Sequence, residues 1–453
     1  MKNSRRDFIR KVGLGSTALT LGGAALGMSA KSYSRIKGAN DSIRLAVVGL
    51  HIRGHQHVDE FMKQPNTEII YVCDVDEREM TKAVGIVTKA GLPAPKSEKD
   101  FRIALEDKSL DAIVIATPDH WHVPATILGC QAGKHVYIEK PLSHNPHEGE
   151  LAIQAARKYK RIVQMGTQRR SSPEDIQAIQ ELRDGVIGRI YLAKGWYTNS
   201  RGPIGFGKAA PVPPEIDYDL WQGPAPRRPY KDNLIHYNWH WFWHWGTGEA
   251  LNNGTHEMDL IRWGLNVDFP IRVSSQGGRY HYINQDDWET PDTQIITWDF
   301  PGNLTATWEG RSCNRQTIEG TTQAIMFYGD QGSMGIGTIG NAYTIYDRRG
   351  RIAKEVKWQE PGRESQRPVG LPYLPHQSTN HIANFLDCIR NNKLPNSDVE
   401  IGFKSTLLVQ LGNISYRVKR TLNIDPKNGH ILEDKDAQKL WSREYEKGWE
   451  PKV

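Results

Sequence analysis

Between residues 43 and 165 the chain alternates apolar runs of strand length with runs of helix length. No other feature of the sequence restricts the possible folds as much. Residues 43–49 are a β-branched run ending in Gly49, with a helix expected over 55–63, and residues 69–73 form a second strand ending at Asp74. Residues 110–116 read as a third strand, ending in Thr117-Pro118-Asp119-His120-Trp121-His122, with a helix over 124–132 behind it. Residues 136–138 make a short strand bounded by Gly133-Lys134 and by Glu139-Lys140-Pro141, and a helix over 146–159 and a strand over 162–165 complete the series. Strand and helix in this order predict an α/β fold, with a doubly wound parallel sheet and right-handed crossovers. Ligands of such sheets bind beyond the carboxyl ends of the strands, where Gly49, Asp74, Thr117, Lys140 and Gln168 stand.

The first strand and its turn have the layout of a dinucleotide loop. Gly49-Leu50-His51-Ile52-Arg53-Gly54 leads into the helix, whose N-terminus suits a pyrophosphate. His51 stands where the second glycine of G-x-G-x-x-G belongs, and a side chain there is expected to crowd the phosphate approach. Asp74 follows about 25 residues on, where a ribose-binding carboxylate belongs. It would favour NAD over NADP, although a strand-end aspartate with no ligand is the alternative. Lys140 is placed to hold or discharge a substrate hydroxyl, or else is an ordinary loop lysine beside Glu139.

After about residue 190 the texture changes. Residues 190–196, 271–276, 294–300, 304–308 and 324–328 read as longer, partly alternating strands of a second domain with a mixed or antiparallel sheet. Residues 201–230 are rich in Pro and Gly and predict a long ordered loop. Helices are expected over 376–390 and 401–419, the latter packed back near the first domain. The domain plan is therefore 1–30, 40–168 and 169–453.

The first thirty residues stand apart from the fold. Arg5-Arg6, with Phe8 after them, precede a Gly/Ala-rich, uncharged run over 12–28, which predicts a twin-arginine export signal and a periplasmic destination. No cysteine follows it, which argues against a lipid anchor. The four cysteines (Cys73, Cys130, Cys313, Cys388) are scattered, which argues against a zinc site and a disulfide framework. The net charge of +6 over 453 residues is modest, and no basic stripe suggests nucleic acid.

Two further constellations lie in the second half. Residues 237–245, which include Trp239, Trp241, Trp243 and Trp245, alternate aromatics at period two, with His240 and His244 among them. Tryptophan faces suit sugars, but an aromatic packing belt or an oligomer contact explains the run equally well. A metal on His240 and His244 lacks accompanying acidic ligands. Downstream, a helix is expected from His256, which places His256 and Asp259 on one face. A histidine there suits proton transfer from a hydroxyl, or is simply a structural residue at a helix start.

In combination these motifs resemble the Gfo/Idh/MocA family of glucose–fructose oxidoreductase and inositol dehydrogenase. The resemblance rests mainly on Glu139-Lys140-Pro141 and on Gly254-Thr255-His256-Glu257-Met258-Asp259 behind the nucleotide loop. It implies an NAD(P)-binding Rossmann domain and an α/β domain whose open sheet mediates homo-oligomers. It further implies that Lys140 and His256 flank the substrate. Gly49, Ile52 and Arg53 would lie at the pyrophosphate and Asp74 at the adenosine ribose. Thr117, Asp119, His120 and His122 would lie along the cofactor, with Glu139 and Gln168 near its nicotinamide half. Arg169, Asn252, Asp259 and Trp243 are the expected substrate contacts, and a cis peptide is expected before Pro141. Many members carry an aspartate where this chain has Asn252, so acid–base work should fall on His256 and Lys140.

The expected function is an exported oxidoreductase. It moves hydride between a retained NAD and a secondary alcohol of a sugar, glycoside or polyol. Two alternatives stay open: a glycoside hydrolase acting by transient oxidation and elimination, and a sugar-binding protein with a vestigial nucleotide fold.

Overall fold

The first sheet is parallel throughout, as the alternation requires. The computed structural model describes residues 42–338, 340–358 and 375–453, so the export signal read in residues 1–30 lies outside the described residues. The strands of this sheet are β1 (Ile43–Val48), β2 (Thr67–Cys73), β3 (Lys96–Glu98), β4 (Ala112–Ile115), β5 (His135–Ile138) and β6 (Val163–Met165), in the order β3-β2-β1-β4-β5-β6. Leu45, Val47, Val114 and Tyr137 pack on one face with Phe61 and Phe385, while Ile113, Val136 and Ile138 join the core of the other. Burial of both faces is why these strands read as continuous apolar runs.

The helix behind β4 starts earlier than expected, at Asp119, and runs to Gln131 with Pro124 inside it. Proline has no N–H, so the carbonyl four residues back loses its helical partner. That carbonyl is His120 O, and Arg443 Nη2 donates to it at 2.7 Å. A residue near the C-terminus thus makes good the missing bond, which local pattern does not reveal.

The second sheet is larger and mixed. Its strands are β7 (Ile190–Thr198), β8 (Arg272–Gly278), β9 (Thr293–Phe300), β10 (Leu304–Arg311), β11 (Gln323–Gly329), β12 (Gly332–Ile336), β13 (Tyr343–Asp347), β14 (Ile352–Val356) and β15 (Leu422–Asn423). Their order is β14-β13-β12-β11-β7-β10-β9-β8-β15, with β7 and β10 parallel and the other pairs antiparallel. One face alternates inward, placing Ile296, Trp298, Phe300, Ala306 and Trp308 in the core, while Ile295 and Tyr191 stay exposed. Strands β12 to β14 escaped the sequence reading because short glycine-broken runs carry little periodicity.

The helix Val399–Val418 joins the two halves. Trp298 Nε1 donates to Leu408 O at 2.8 Å on the sheet side. On the other side Thr406 Oγ1 accepts from Leu142 N, and Gln410 Nε2 donates to Ser143 O. The helix is buried almost all round, so the segment just after Lys140 is fixed against the second sheet. The long 201–230 loop is present as expected, with a short helix, Tyr218–Gln222, within it. No helix among the described residues is long and apolar enough to cross a membrane.

Candidate functional site

The turn after β1 keeps two of the three glycine roles of a dinucleotide loop. Gly49 has φ +81°, and a Cβ there would lie 2.7 Å from Thr117 N. A Cβ on Gly54 would lie 1.9 Å from Gly49 O, so only glycine lets the helix Arg53–Met62 approach the turn. At the middle position the His51 side chain lines the cleft, where its ring stacks on His236 with centroids 4.9 Å apart. Asp74, at the end of β2, accepts from Leu50 N at 2.5 Å and from Asp76 N at 3.0 Å. It therefore ties the turn to the second strand, and burial raises its pKa against those two bonds.

A cleft runs from this turn along the strand ends. Gly49, Ile52, Arg53, Asp74, Thr117, Asp119, His122, Glu139, Lys140 and Asn252 all line it, as the sequence places them. Ile52 is 53% exposed there at φ +24°, a strained conformation for a β-branched residue. Thr117 Oγ1 is buried and has no hydrogen-bond partner. His122 brackets the strand ends, with Nδ1 2.6 Å from Pro141 O and Nε2 3.0 Å from Thr117 O. The Lys140–Pro141 peptide is cis.

Glu139 is the electrostatic anchor of this end. Its Oε1 accepts from Arg53 Nε at 2.8 Å and Gln168 Nε2 at 3.1 Å, and lies 2.9 Å from His57 Nε2. Burial alone would raise its pKa, but Arg53, His57 and Lys140 hold it well below the usual carboxylate range. Arg53, expected at the pyrophosphate, thus commits part of its guanidinium to Glu139. Lys140 Nζ donates to Asn252 O at 2.5 Å and Asn252 Oδ1 at 3.0 Å. Burial lowers the pKa of Lys140, and Glu139, Asp119 and Glu249 oppose that shift. Asn252 therefore positions the ammonium. His256 sits on the helix Gly254–Leu265, only 2% exposed and not itself lining the cleft, with Lys140 near enough to act on its charge. Burial, reinforced by Lys140, lowers its pKa well below the imidazole value, so at neutral pH it is an uncharged base.

Six expected residues lie off the cleft lining, His256 and five others. His120 is fully buried with Nε2 2.9 Å from Trp221 O and does not line the cleft. Gln168 bonds Tyr137 and Glu139 and acts as their support. Arg169 pairs with Asp175 through two hydrogen bonds, and Asp259 is held by Arg170 and by Ser405 Oγ at 2.6 Å. These buried pairs give each charge an internal partner of opposite sign. Trp243 lies with its ring 5.2 Å from the Arg417 guanidinium instead of in the cleft. The aromatic run is not extended: Asn238–Trp241 is a 3₁₀ turn, so the expected period of two does not describe it. Tyr237, Trp239 and His240 face the cleft, whereas Trp241 stacks on Trp288 and His244 bonds Pro226 O.

The far wall holds residues that sequence reasoning missed. Arg201 follows the end of β7, pairs with Glu249 at 2.6 Å and donates to Tyr237 OH at 2.9 Å. Burial works against its charge, but Glu249 raises its pKa well above the ordinary value. Glu249 also accepts from Asn252 Nδ2 at 3.3 Å and from Asn253 Nδ2. Strand-end logic applied to the second sheet would have found Arg201; nothing local marks Trp221 or His236.

Residues 43–167 match the family described as "Oxidoreductase family, NAD-binding Rossmann fold", and residues 196–326 and 334–451 match its "C-terminal alpha/beta domain". A glycosyl hydrolase family 109 protein from Shewanella pealeana is 26% identical over 212 residues, 44% of this chain and 46% of that relative. The chain thus spans about half the length of the curated relatives it matches. Among solved structures, an aldose-aldose oxidoreductase from Caulobacter crescentus aligns with TM-score 0.63 at 17% identity, over 84% of this chain and 100% of that one. The WlbA dehydrogenase from Bordetella pertussis, in complex with NADH and UDP-GlcNAcA, aligns with TM-score 0.62 at 19% identity, over 85% and 99%. Both show a common fold.

Proposed function

The chain belongs to the Gfo/Idh/MocA oxidoreductase family, matched across both sheets, and on that premise we propose that it oxidises or reduces a secondary alcohol of a sugar, glycoside or polyol with a retained NAD. The observation that carries this reading is the placement of Lys140, beside neutral His256, where the strand-end cleft meets the second sheet. The glycine cradle at Gly49 and Gly54, the orphaned Thr117 Oγ1 and the Asp74 carboxylate fit a dinucleotide. Bound NAD supplies a hydride acceptor.

The rest is the work of this chain. Two of the three Lys140 N–H groups go to Asn252, and one remains for the substrate hydroxyl. There the ammonium stabilises the negative charge that develops on the oxygen. His256, uncharged at neutral pH, takes the hydroxyl proton. Tyr237, Trp239 and His240 give the far wall an aromatic face suited to a sugar. The glycosyl hydrolase name of the Shewanella relative favours a second reading, in which the same oxidation acidifies a neighbouring C–H, the glycosidic group leaves by elimination, water adds in its place and reduction reverses the oxidation. Glycoside cleavage without added NAD would distinguish it.

The reading is tested by the nucleotide released on heat denaturation. NAD(H) is expected, and Asp74→Ala should lose the preference over NADP(H). Release of NADP(H) from the wild type, or of no nucleotide, contradicts it. We extend the proposal to export on the strength of Arg5-Arg6 and the uncharged run behind them. Replacing both arginines by lysine should leave an unprocessed precursor in the cytoplasm, and normal processing would overturn the twin-arginine route. The exposed Ile295 and Tyr191 on the open face of the second sheet support a homo-oligomer.

A further inference from the structure

At the far end of the cleft, beyond β2, side chains from three separate segments converge. Asp76 is fully buried at the start of the helix Glu77–Lys89, and Glu79, on its first turn, is 5% exposed. His236 arrives from the long loop of the second half, with Nε2 2.8 Å from Asp76 Oδ2. One ligand atom from each of Asp76, Glu79 and His236 lies within 4.8 Å of the others. The ring of His51 stacks on His236, and its Nδ1 lies 3.7 Å from Glu79 Oε2. That oxygen is buried and accepts no hydrogen bond.

We propose that this cluster is a binding site for a first-row divalent cation of the zinc class, held by Asp76, Glu79 and His236 with His51 as the fourth ligand. Zinc bonds of about 2.0–2.2 Å place neighbouring ligand atoms of a tetrahedron roughly 3.3–3.6 Å apart. The observed separations of 2.8 and 3.7 Å straddle that edge. Two imidazoles with two carboxylates favour zinc over magnesium and calcium, which prefer all-oxygen shells. Arg78 holds Asp76 Oδ2 at 2.6 Å and Lys82 holds Glu79 Oε1 at 2.6 Å. These contacts orient the carboxylates and leave Glu79 Oε2 facing His51 and His55, whose Nε2 lies 3.5 Å from it. Their two positive charges also weaken the site relative to one without neighbouring cations. The sequence conceals it because the four ligands, at positions 51, 76, 79 and 236, share no motif spacing.

The cation would join the dinucleotide turn to the loop of the second half, beside Asp74. The test uses the full chain, stripped with a chelator and dialysed, and titrated with Zn²⁺ by calorimetry and with Co²⁺ by visible absorption. A single equivalent per chain is expected, with a d–d spectrum for cobalt and no competition from Mg²⁺. His236→Ala and Glu79→Gln should each weaken binding by about 10- to 100-fold or more. His51→Gln, which alters a partly exposed ring, should change the cobalt spectrum. Absence of saturable Zn²⁺ binding to the wild type overturns the proposal, whatever the variants do. Binding undiminished in all three variants overturns it too. Neither readout depends on NAD or on turnover.

Discussion

Lys140→Met folds, retains nucleotide and loses hydride transfer by on the order of 10²–10³-fold or more. The loss follows from the position of the ammonium, fixed by two hydrogen bonds to Asn252 and facing the cleft. Methionine keeps much of the volume but provides neither the charge nor a donor. Because the lysine also depresses the pKa of His256, its removal raises that pKa. The acid limb of the pH–rate profile should therefore move to higher pH in the variant. His256→Asn should be comparably impaired, and the double variant should lose little beyond either single one, as groups that act as a unit do. The test is reduction of bound nucleotide by substrate, followed by absorbance across a pH series. Wild-type rates in Lys140→Met would remove the residue from the mechanism.

Glu139→Gln costs about 3–5 kcal/mol of stability, the usual penalty for removing one partner of a buried ionic network. Arg53, His57 and Gln168 converge on Glu139 Oε1, and an amide keeps the shape but not the charge that balances Arg53. The pH dependence has a definite sign. The folded-state pKa of Glu139 lies well below its ordinary value of 4.5, so its contribution is fully present above that value. It disappears as pH falls from there towards the folded-state pKa. Urea unfolding should thus show a wide gap between wild type and variant at neutral pH, closing in acid. Equal midpoints at neutral pH would refute the anchoring role. The same substitution removes one charged partner of Arg53, leaving Glu60 at 3.3 Å to draw it, and should weaken nucleotide retention.

Much of this site was readable because parallel sheets confine ligands to strand ends. Gly49, Asp74, Thr117, Glu139 and Lys140 each terminate a recognisable apolar run, and all five line the cleft. What the pattern could not give was the direction of side chains within a helix or a turn. His120 and His122 are neighbours in one expected turn, yet one faces Trp221 and the other the cleft. Arg169 and Asp259 have the right chemistry for substrate, but each has found a buried partner of opposite charge, Asp175 and Arg170. The aromatic run misled because a 3₁₀ turn replaces the period of two. Trp221 and His236 reach the cleft from the long stretch between β7 and β8, a tertiary approach without local signature. The bond from Arg443 to His120 O, which admits Pro124 into a helix, spans 323 positions and is equally invisible locally.

The most direct test of hydride exchange on a retained cofactor is a single-turnover experiment. Purified protein at known concentration is mixed with excess sugar, glycoside or polyol from a panel, with no acceptor and no added NAD, and nicotinamide absorbance is followed. The expected result is a burst of one reduced cofactor per chain, reversed when a ketose or keto-glycoside is added. Steady turnover that scales with added free NAD, or no absorbance change with any member of the panel, would contradict it.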